Sequence, residues 1–444
     1  MTTPRRVLVE VRAPVVSRPA VAASIAMESG RKLPGFARDE SFEAVPLRAR
    51  GRPGVRVALG PADGGTLVLR GTLDPTAEAE LKKRPEVIAI WSDPPIAPFQ
   101  QVERMPMPRE FLQVSPGVTQ ISAGGSSCSP ADCTPTVPKG TLQAVAEYLG
   151  CPELWEKRIT GVGVVIGICD TGVDRNVMPS LIDGWSPDPA LPVGTDANGH
   201  GSMTSTDAVG IAIDAKVCDI GVLKTQDAQT AISNALTGFQ WALDKYRGPL
   251  KYPHILSNSW GIFQQAWAPD YAANPNHPFT RKVREVIDAG VVVLFAAGNC
   301  GAVCADGRCG SDRGPGNSIW GANSLEPVIT VGAANLNGEW AGYSSQGPGA
   351  LFAQKPDIVA PAHFTGYYSC DAGTSAACPV AAGVVALLKN ARFFEIKPAD
   401  ARRVLMESAR DLCDPGWDAH TGHGMINAKA AYERLLATVP GEKG

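Results

Sequence analysis

The chain has 444 residues, too many for one small core, and its length suggests two or three domains. Hydrophobic residues make up 44% and charged residues 19%, an ordinary globular composition, and a formal net charge of −3 excludes a dedicated nucleic-acid or membrane-surface binder. No apolar run reaches the roughly 18 residues a membrane-spanning helix needs. At the N-terminus, Glu10 and Arg12 interrupt Val7, Val9 and Val11, so no secretory signal core is read there, and a cytoplasmic protein is expected, with export by an unrecognised route as the alternative.

Residues 1–97 read as a small α+β unit. Val7–Val11 and Thr66–Arg70 alternate as half-buried strands do. Asp74-Pro75 supplies a cap and a first-turn proline for a helix running to Arg84, Pro85 stops it, and Val87–Trp91 is a further strand. With a first helix in residues 18–32, the pattern is a ferredoxin-like split βαβ. Residues 98–139 are rich in Pro, Ser and Gly without periodicity, which predicts an extended or mobile linker ahead of a third segment, 140–444.

From residue 140 onward, short apolar runs alternate with helical patterns. Val162–Cys169, Ala215–Val222, Ile255–Ser259, Val291–Ala296 and Val328–Val331 read as parallel strands buried on both faces. Gln229–Arg247 carries apolar residues at helical spacing, and Arg281–Ala289 reads as a helix capped by Thr280 and ended by Gly290. Further helices follow Pro398 and Asn427. This is a doubly wound, mostly parallel α/β domain. The eleven cysteines are an odd number. Free thiols of a reducing compartment are the favoured reading, ahead of local disulfides among Cys128 and Cys133 or Cys300, Cys304 and Cys309, and ahead of a metal site, since no His completes a ligand set nearby.

Three segments carry chemistry: Asp170-Thr171-Gly172, Asn198-Gly199-His200-Gly201-Ser202, and Gly373-Thr374-Ser375-Ala376-Ala377-Cys378-Pro379. A serine hydroxyl is a weak nucleophile and needs a base within hydrogen-bond reach. His200 can take and return that proton, and Asp170, just past an apolar strand, can fix the imidazole tautomer. Ser375 opens the apolar helix Ala376–Leu388, with Pro379 read into its first turn, so the nucleophile sits where backbone N–H groups point at developing negative charge.

In the order Asp, His, Ser, these segments resemble those of the subtilisin-like serine proteases, the subtilases. Gly161-Val162-Gly163-Val164-Val165-Ile166-Gly167-Ile168-Cys169 before Asp170, Ala296-Ala297-Gly298-Asn299, and the weaker matches Lys355–Pro361 and Gly422–Ala428 extend the likeness over residues 140 to 435. The resemblance implies that Asn299 donates to the oxyanion, with the Ser375 N–H. It implies that Ser259-Trp260-Gly261 pairs with the acyl side of a peptide, that Asp227-Ala228-Gln229 forms the opposite edge, and that Ala297 and Gly298 wall a pocket whose base falls in 300–325. Residues 65–95 resemble the end of a subtilase propeptide, which implies a proform whose N-terminal domain is both chaperone and intramolecular inhibitor, cut somewhere in 98–139.

The chain departs from that pattern at Ser202-Met203, where the family has Thr-His, and in the short stretch from His200 to Ala215, which leaves no room for the family's calcium-binding loop. No cofactor is expected, though calcium bound elsewhere stays open. Cys378 reads as a packing residue, and His254, His277, His363, His420 and His423 as satisfied or solvated side chains. The expected function is a serine endopeptidase acting on peptides or proteins through a Ser375 acyl-enzyme, with an intracellular leader-trimming role. The alternatives are a secreted degradative enzyme and a peptide-binding relative without catalysis.

Overall fold

Two sheets of different kind organise the chain. A computed structural model describes residues 3–13, 33–48, 65–99, 128, 131–225, 231–392 and 395–439. In the N-terminal unit, β1 (Arg5–Arg12), β2 (Phe36–Arg38), β3 (Val45–Leu47), β4 (Thr66–Leu73) and β5 (Val87–Ser92) form an antiparallel sheet in the order β2-β4-β1-β5, with β3 also on β4. That is the strand order of a split βαβ. After β4, the Asp74 carboxylate accepts the Thr76 N–H at 2.9 Å, Pro75 follows it, and α1 (Glu78–Leu81) completes the turn. The helix expected in 18–32 lies outside the described residues.

Next come β6 (Ala97–Pro98), α2 (Leu142–Tyr148), α3 (Cys151–Glu156), β7 (Val165–Cys169), β8 (Leu181–Trp185), α4 (His200–Ile211), β9 (Lys216–Ile220), α5 (Ile232–Arg247), β10 (Ile255–Asn258), β11 (Trp260–Gly261), α6 (Pro278–Ala289), β12 (Val292–Ala296), β13 (Ile329–Ala334), β14 (Ile358–Pro361), α7 (Thr374–Ala391), α8 (Pro398–Ser408) and α9 (Ala428–Thr438). Seven of these strands form one parallel sheet, ordered β14-β13-β12-β10-β7-β9-β8. The pleat divides their apolar side chains between two cores. On β12, Val292, Leu294 and Ala296 face the layer with α4, α7, α8 and α9, while Val293 and Phe295 face α5 and α6. This is the doubly wound α/β fold the sequence implied. Helix α7 is long and apolar enough to span a membrane by composition, but it is the buried central helix of the first core.

The antiparallel sheet docks on α5 and α6. One of its faces (Val7, Val9, Leu67, Leu69, Leu73) packs on Leu81 in a core of its own. The other joins the core of the parallel-sheet domain through Leu8, Phe42, Val45, Val68 and Trp91, which cluster with Phe239 and Phe279. Glu10 is buried at this contact and pairs with Arg281 of α6 at 2.6 Å, with Thr66 Oγ1 also donating to it at 2.6 Å. Burial pushes the Glu10 carboxyl up, but Arg281, Thr66 and Trp91 together hold it below its ordinary range.

Three expectations need correction. Helix α6 starts at Pro278, with His277 Nδ1 accepting the Phe279 N–H at 3.3 Å, so Thr280 lies inside the first turn and caps nothing. Proline at the first position, where no N–H is required, favours the earlier start. Residues 131–139 are not a loose linker, because Asp132 bridges to Ala341 and Cys133 is bonded to Cys304. Finally, six cysteines are oxidised, as Cys128–Cys413, Cys133–Cys304 and Cys300–Cys309. Only the last pair is local; the other two span 285 and 171 residues, separations at which sequence spacing says nothing. Cys151, Cys169, Cys218 and Cys378 are buried thiols, and burial pushes Cys151 and Cys378 up to about 12, so both stay protonated and inert.

Half-buried His254 and buried His277 both disfavour their charged forms in this fold. Burial holds both His254 and His277 down at about 4, with the Lys389 cation adding to the effect at His254. Between pH 6.5 and 4 the unfolded chain binds protons that the folded chain does not, so stability falls as pH drops through that window. Denaturant unfolding at pH 7 and pH 4.5 should show this loss, and His254→Asn, which keeps an acceptor for the Val165 N–H, should reduce it by on the order of 2 kcal/mol. An unchanged pH slope in that variant would remove His254 from the account.

Candidate active site

Asp170 follows β7 at the carboxyl edge of the parallel sheet, where open α/β sheets place their ligands. Its Oδ1 accepts the Thr171 N–H at 2.7 Å and lies 2.6 Å from His200 Nδ1, so Nδ1 carries the proton and Nε2 presents a lone pair. His200 opens α4 and is fully buried, and its Nε2 has no hydrogen-bond partner among the described residues. Ser202, in place of the family's Thr, donates to Asp196 at 2.8 Å and accepts the Asp174 N–H at 3.1 Å, tying the start of α4 to the turn after Asp170.

Ser375 is the second residue of α7, which packs beside α4. The helix starts at Thr374, so Pro379 falls in the second turn, not the first as the sequence suggested. A proline there leaves the carbonyl four residues earlier without its helical donor. That carbonyl belongs to Ser375, and Ser259 Oγ donates to it at 3.0 Å. The Ser375 hydroxyl in turn donates to the Ser259 carbonyl at 3.2 Å. Opposite, Asn299 is held by its own oxygen: Thr374 N–H and Thr374 Oγ1 each donate to Asn299 Oδ1 at 3.0 Å. The Asn299 amide nitrogen must therefore face the cleft.

The cleft is filled by the chain itself. Ala97 and Pro98 pair antiparallel with Gly261 and Trp260, and Phe99 N–H donates to the Ser259 carbonyl at 3.0 Å. On the other side Pro95 bridges to Ala231, and Ile232 N–H donates to the Pro94 carbonyl at 3.0 Å. Asp93 caps α5 by accepting the Ser233 N–H at 2.9 Å. The Phe99 carbonyl oxygen lies 2.5 Å from Asn299 Nδ2. The Phe99 ring enters a slot beside Gly261 and Gly298; a Cβ on either glycine would come within 2.6 Å or 3.4 Å of the ring. Phe263 meets the ring edge-on at 5.1 Å, and Arg308 lies 4.0 Å over Phe263 while donating to the Pro98 carbonyl at 3.1 Å.

The structure joins Asp170 to His200 and sets Asn299, Ser259, Trp260, Gly261 and Gly298 around Ser375 and Phe99; the Ser375 hydroxyl bonds to Ser259 and not to His200 Nε2. Trp260 serves by its backbone, since its indole is buried among Phe279 and Phe295. Ala297 is buried and joins β13, its N–H donating to the Val331 carbonyl at 2.8 Å. Asp227 and Gln229 lie outside the described residues. Phe263 and Arg308 were missed; only an aromatic two residues past Gly261 and an arginine between two cysteines could have hinted at them. Cys378 packs 3.8 Å from the Asn258 carbonyl, as a filler. Cys128, Asp418 and His420 come within reach of one another, but the Cys128 sulfur is committed to Cys413, which leaves no metal-ligand set there.

A parallel sheet with a serine-bearing helix at its carboxyl edge and an Asp–His pair beside it marks the class of serine peptidases. Residues 161–424 match the model of the subtilase family, and the chain belongs to that family. The membrane-bound transcription factor site-1 protease of Mus musculus is 30% identical over 323 residues, covering 67% of this chain and 27% of that protein. The chain therefore spans about a quarter of that relative's length. An alkaline protease of Alkalihalobacillus alcalophilus is 27% identical over 351 residues, covering 75% of this chain and 79% of that one. The crystal structure of fervidolysin from Fervidobacterium pennivorans superposes with a TM-score of 0.61 at 18% identity over 97% of this chain and 61% of that one, a likeness of fold.

Two carboxyls stand behind the histidine. Asp207, two turns along α4 from His200, is fully buried near Asp371, and neither of its carboxyl oxygens has a hydrogen-bond partner among the described residues. Burial, then the Asp371 charge, pushes Asp207 well up; burial pushes Asp371 up to about 6 against the N–H groups of Tyr368 and Tyr367. Burial keeps on Asp207 a proton that the unfolded chain releases above about pH 4. Both groups therefore cost stability increasingly as pH rises through the folded values. Asp207→Asn removes the titrating carboxyl and that cost with it, and should raise Tm at pH 8 by about 5 °C, with the gain vanishing near pH 4. An equal gain at both pH values in thermal melts would contradict a proton retained on Asp207.

Proposed function

We propose that this chain is a serine endopeptidase made as a proform, and that it cuts itself between Phe99 and Gln100. The observation that carries this reading is the Phe99 carbonyl, seated 2.5 Å from Asn299 Nδ2 while the residues before it lie paired on β11. This is how an acyl group is presented when a peptide adds to a strand edge, main-chain bonds giving affinity and a pocket giving selectivity. In the reaction, the Ser375 oxygen bonds to the carbonyl carbon as its proton passes to His200 Nε2, whose lone pair the Asp170 contact leaves free. Negative charge gathers on the carbonyl oxygen beside the Asn299 amide. His200 then gives the proton to the departing amine as the C–N bond breaks; water next attacks the ester carbon while His200 takes its proton, and His200 returns that proton to the Ser375 oxygen as the ester C–O bond breaks.

The N-terminal unit is the intramolecular inhibitor in this reading, and its tail from Asp93 to Phe99 is the first substrate. A pocket bordered by Gly261, Gly298 and Phe263 favours an aromatic side chain before the scissile bond. Peptides and proteins are the substrate class. Three disulfides favour an oxidising compartment, and so favour the degradative alternative over leader trimming inside a cell.

Intact mass after incubation at neutral pH tests the proposal. The wild-type chain should yield a fragment ending at Phe99 while Ser375→Ala stays whole, and Phe99→Asp should slow the cut. A fragment that appears equally in Ser375→Ala, or that ends elsewhere, would sink the assignment. With a peptide substrate carrying Phe before the scissile bond, Asn299→Ala should lose about 10²- to 10³-fold in kcat with little change in KM. A loss confined to KM would show that Asn299 binds substrate without stabilising the oxyanion.

A further inference from the structure

Behind the nucleophile loop runs a second buried Asp–His pair. Asp132 Oδ2 lies 2.7 Å from His363 Nδ1, His363 Nε2 lies 2.8 Å from the Tyr343 hydroxyl, and that hydroxyl accepts the Gly373 N–H at 2.9 Å. Gly373 immediately precedes Thr374 and Ser375. All four residues are buried. The donors and acceptors fit in one direction only. Gly373 N–H donates to the tyrosine oxygen, the tyrosine O–H to Nε2, and Nδ1–H to the carboxylate, so His363 is neutral with its proton on Nδ1.

The surroundings agree with that assignment. Burial lowers the His363 imidazole below its ordinary value against the raising effects of Asp132 and Glu339, with Lys139 lowering it further. Burial pushes the Asp132 carboxyl up, but hydrogen bonds from Thr134, Asn335 and His363 outweigh it and keep it ionised. His363 has φ of 60°, a left-handed conformation that a non-glycine residue holds only when its surroundings impose it.

At its far end the chain of bonds begins on a segment that is itself clamped. Asp132 N–H donates to the Trp340 carbonyl at 2.9 Å, and its own carbonyl accepts the Gly342 N–H at 3.0 Å. The next residue, Cys133, is bonded to Cys304 in the loop that follows Asn299. At the near end, Gly373 has φ of 80° and ψ of 168°, and its peptide leads to the Thr374 N–H that orients Asn299.

We propose that Asp132, His363 and Tyr343 are positioning residues for the peptidase reaction: they hold the Gly373 amide, and through it the placement of Ser375 and of the Thr374–Asn299 contact. The segment around Cys133 lies after Phe99, stays with the peptidase body when the N-terminal unit is cut away, and is a working part of the catalytic support. The inference rests on Ser375 being the nucleophile, and its test separates the two.

Tyr343→Phe removes one oxygen and keeps the buried ring. It should lower kcat about tenfold, the loss expected for one buried hydrogen bond, with KM within about twofold of wild type. Amide exchange at Gly373 should become faster in the same variant. Asp132→Ala should give both changes, and the double variant should be no worse than the weaker single one, because all three cut one chain of bonds. Unchanged kcat and unchanged Gly373 exchange in Tyr343→Phe would overturn the proposal, as would losses that multiply in the double variant. If Asp132→Ala does not fold, Tyr343→Phe alone decides. Should the wild-type chain show neither peptidase activity nor labelling of Ser375 by a fluorophosphonate, the catalytic reading fails, and Gly373 exchange still reports on the positioning chain.

Discussion

Asn299 can offer only one end of its amide to the cleft, because Thr374 occupies the other. Both Thr374 donors converge on Asn299 Oδ1, and Gly298 N–H donates back to the threonine hydroxyl at 3.2 Å. Asn299 follows β12, the third strand of the sheet counted from β14, and Thr374 opens α7, which fills the core beneath that sheet. The donor and the serine are therefore fixed by the same packing. A donor pre-aimed in a dry site needs no reorganisation as charge develops, which is where such groups gain their effect. The Phe99 carbonyl lies where that nitrogen points.

The N-terminal unit holds its place chiefly by apolar contact. Leu8, Phe42, Val45, Val68 and Trp91 share a core with α5 and α6, and burial of such side chains is worth about 1.5–3 kcal/mol each. The buried Glu10–Arg281 pair adds less, since desolvating both charges offsets much of their attraction, but it fixes orientation because a misplaced partner would leave a charge buried alone. Asp93 completes the arrangement by capping α5, a helix of the other unit. The start of α5 borders the cleft, so tail and docked sheet act on the same region.

The strands of the parallel sheet were legible because each is a short apolar run ended by polar or glycine residues, and the motifs sat at their ends as local patterns. Helix starts at Thr374 and Pro278 were displaced because proline and glycine set them more strongly than the hydroxyls that sequence reasoning prefers. What could not be read was anything made by distant parts of the chain. His363 seemed ordinary because its partner, Asp132, is 231 positions away. Cys128 finds Cys413 across 285 residues, and the Phe99 slot is made of glycines whose significance is the side chain they lack. The family resemblance supplied the role expected of Asn299, but not the Thr374 contacts that orient it.

The loops at the carboxyl edge of the parallel sheet carry the cleft, and loops as a rule hold their shape less firmly than the elements they connect. The disulfides are placed accordingly. Cys300–Cys309 closes the loop that holds Arg308 beside Pro98, and Cys133–Cys304 ties that same loop to the segment of Asp132. One covalent bond thus joins the wall of the Phe99 pocket to the far end of the bonds that reach Gly373. Reducing it would loosen the Arg308 loop and the Asp132 segment together, because this sulfur pair joins the two.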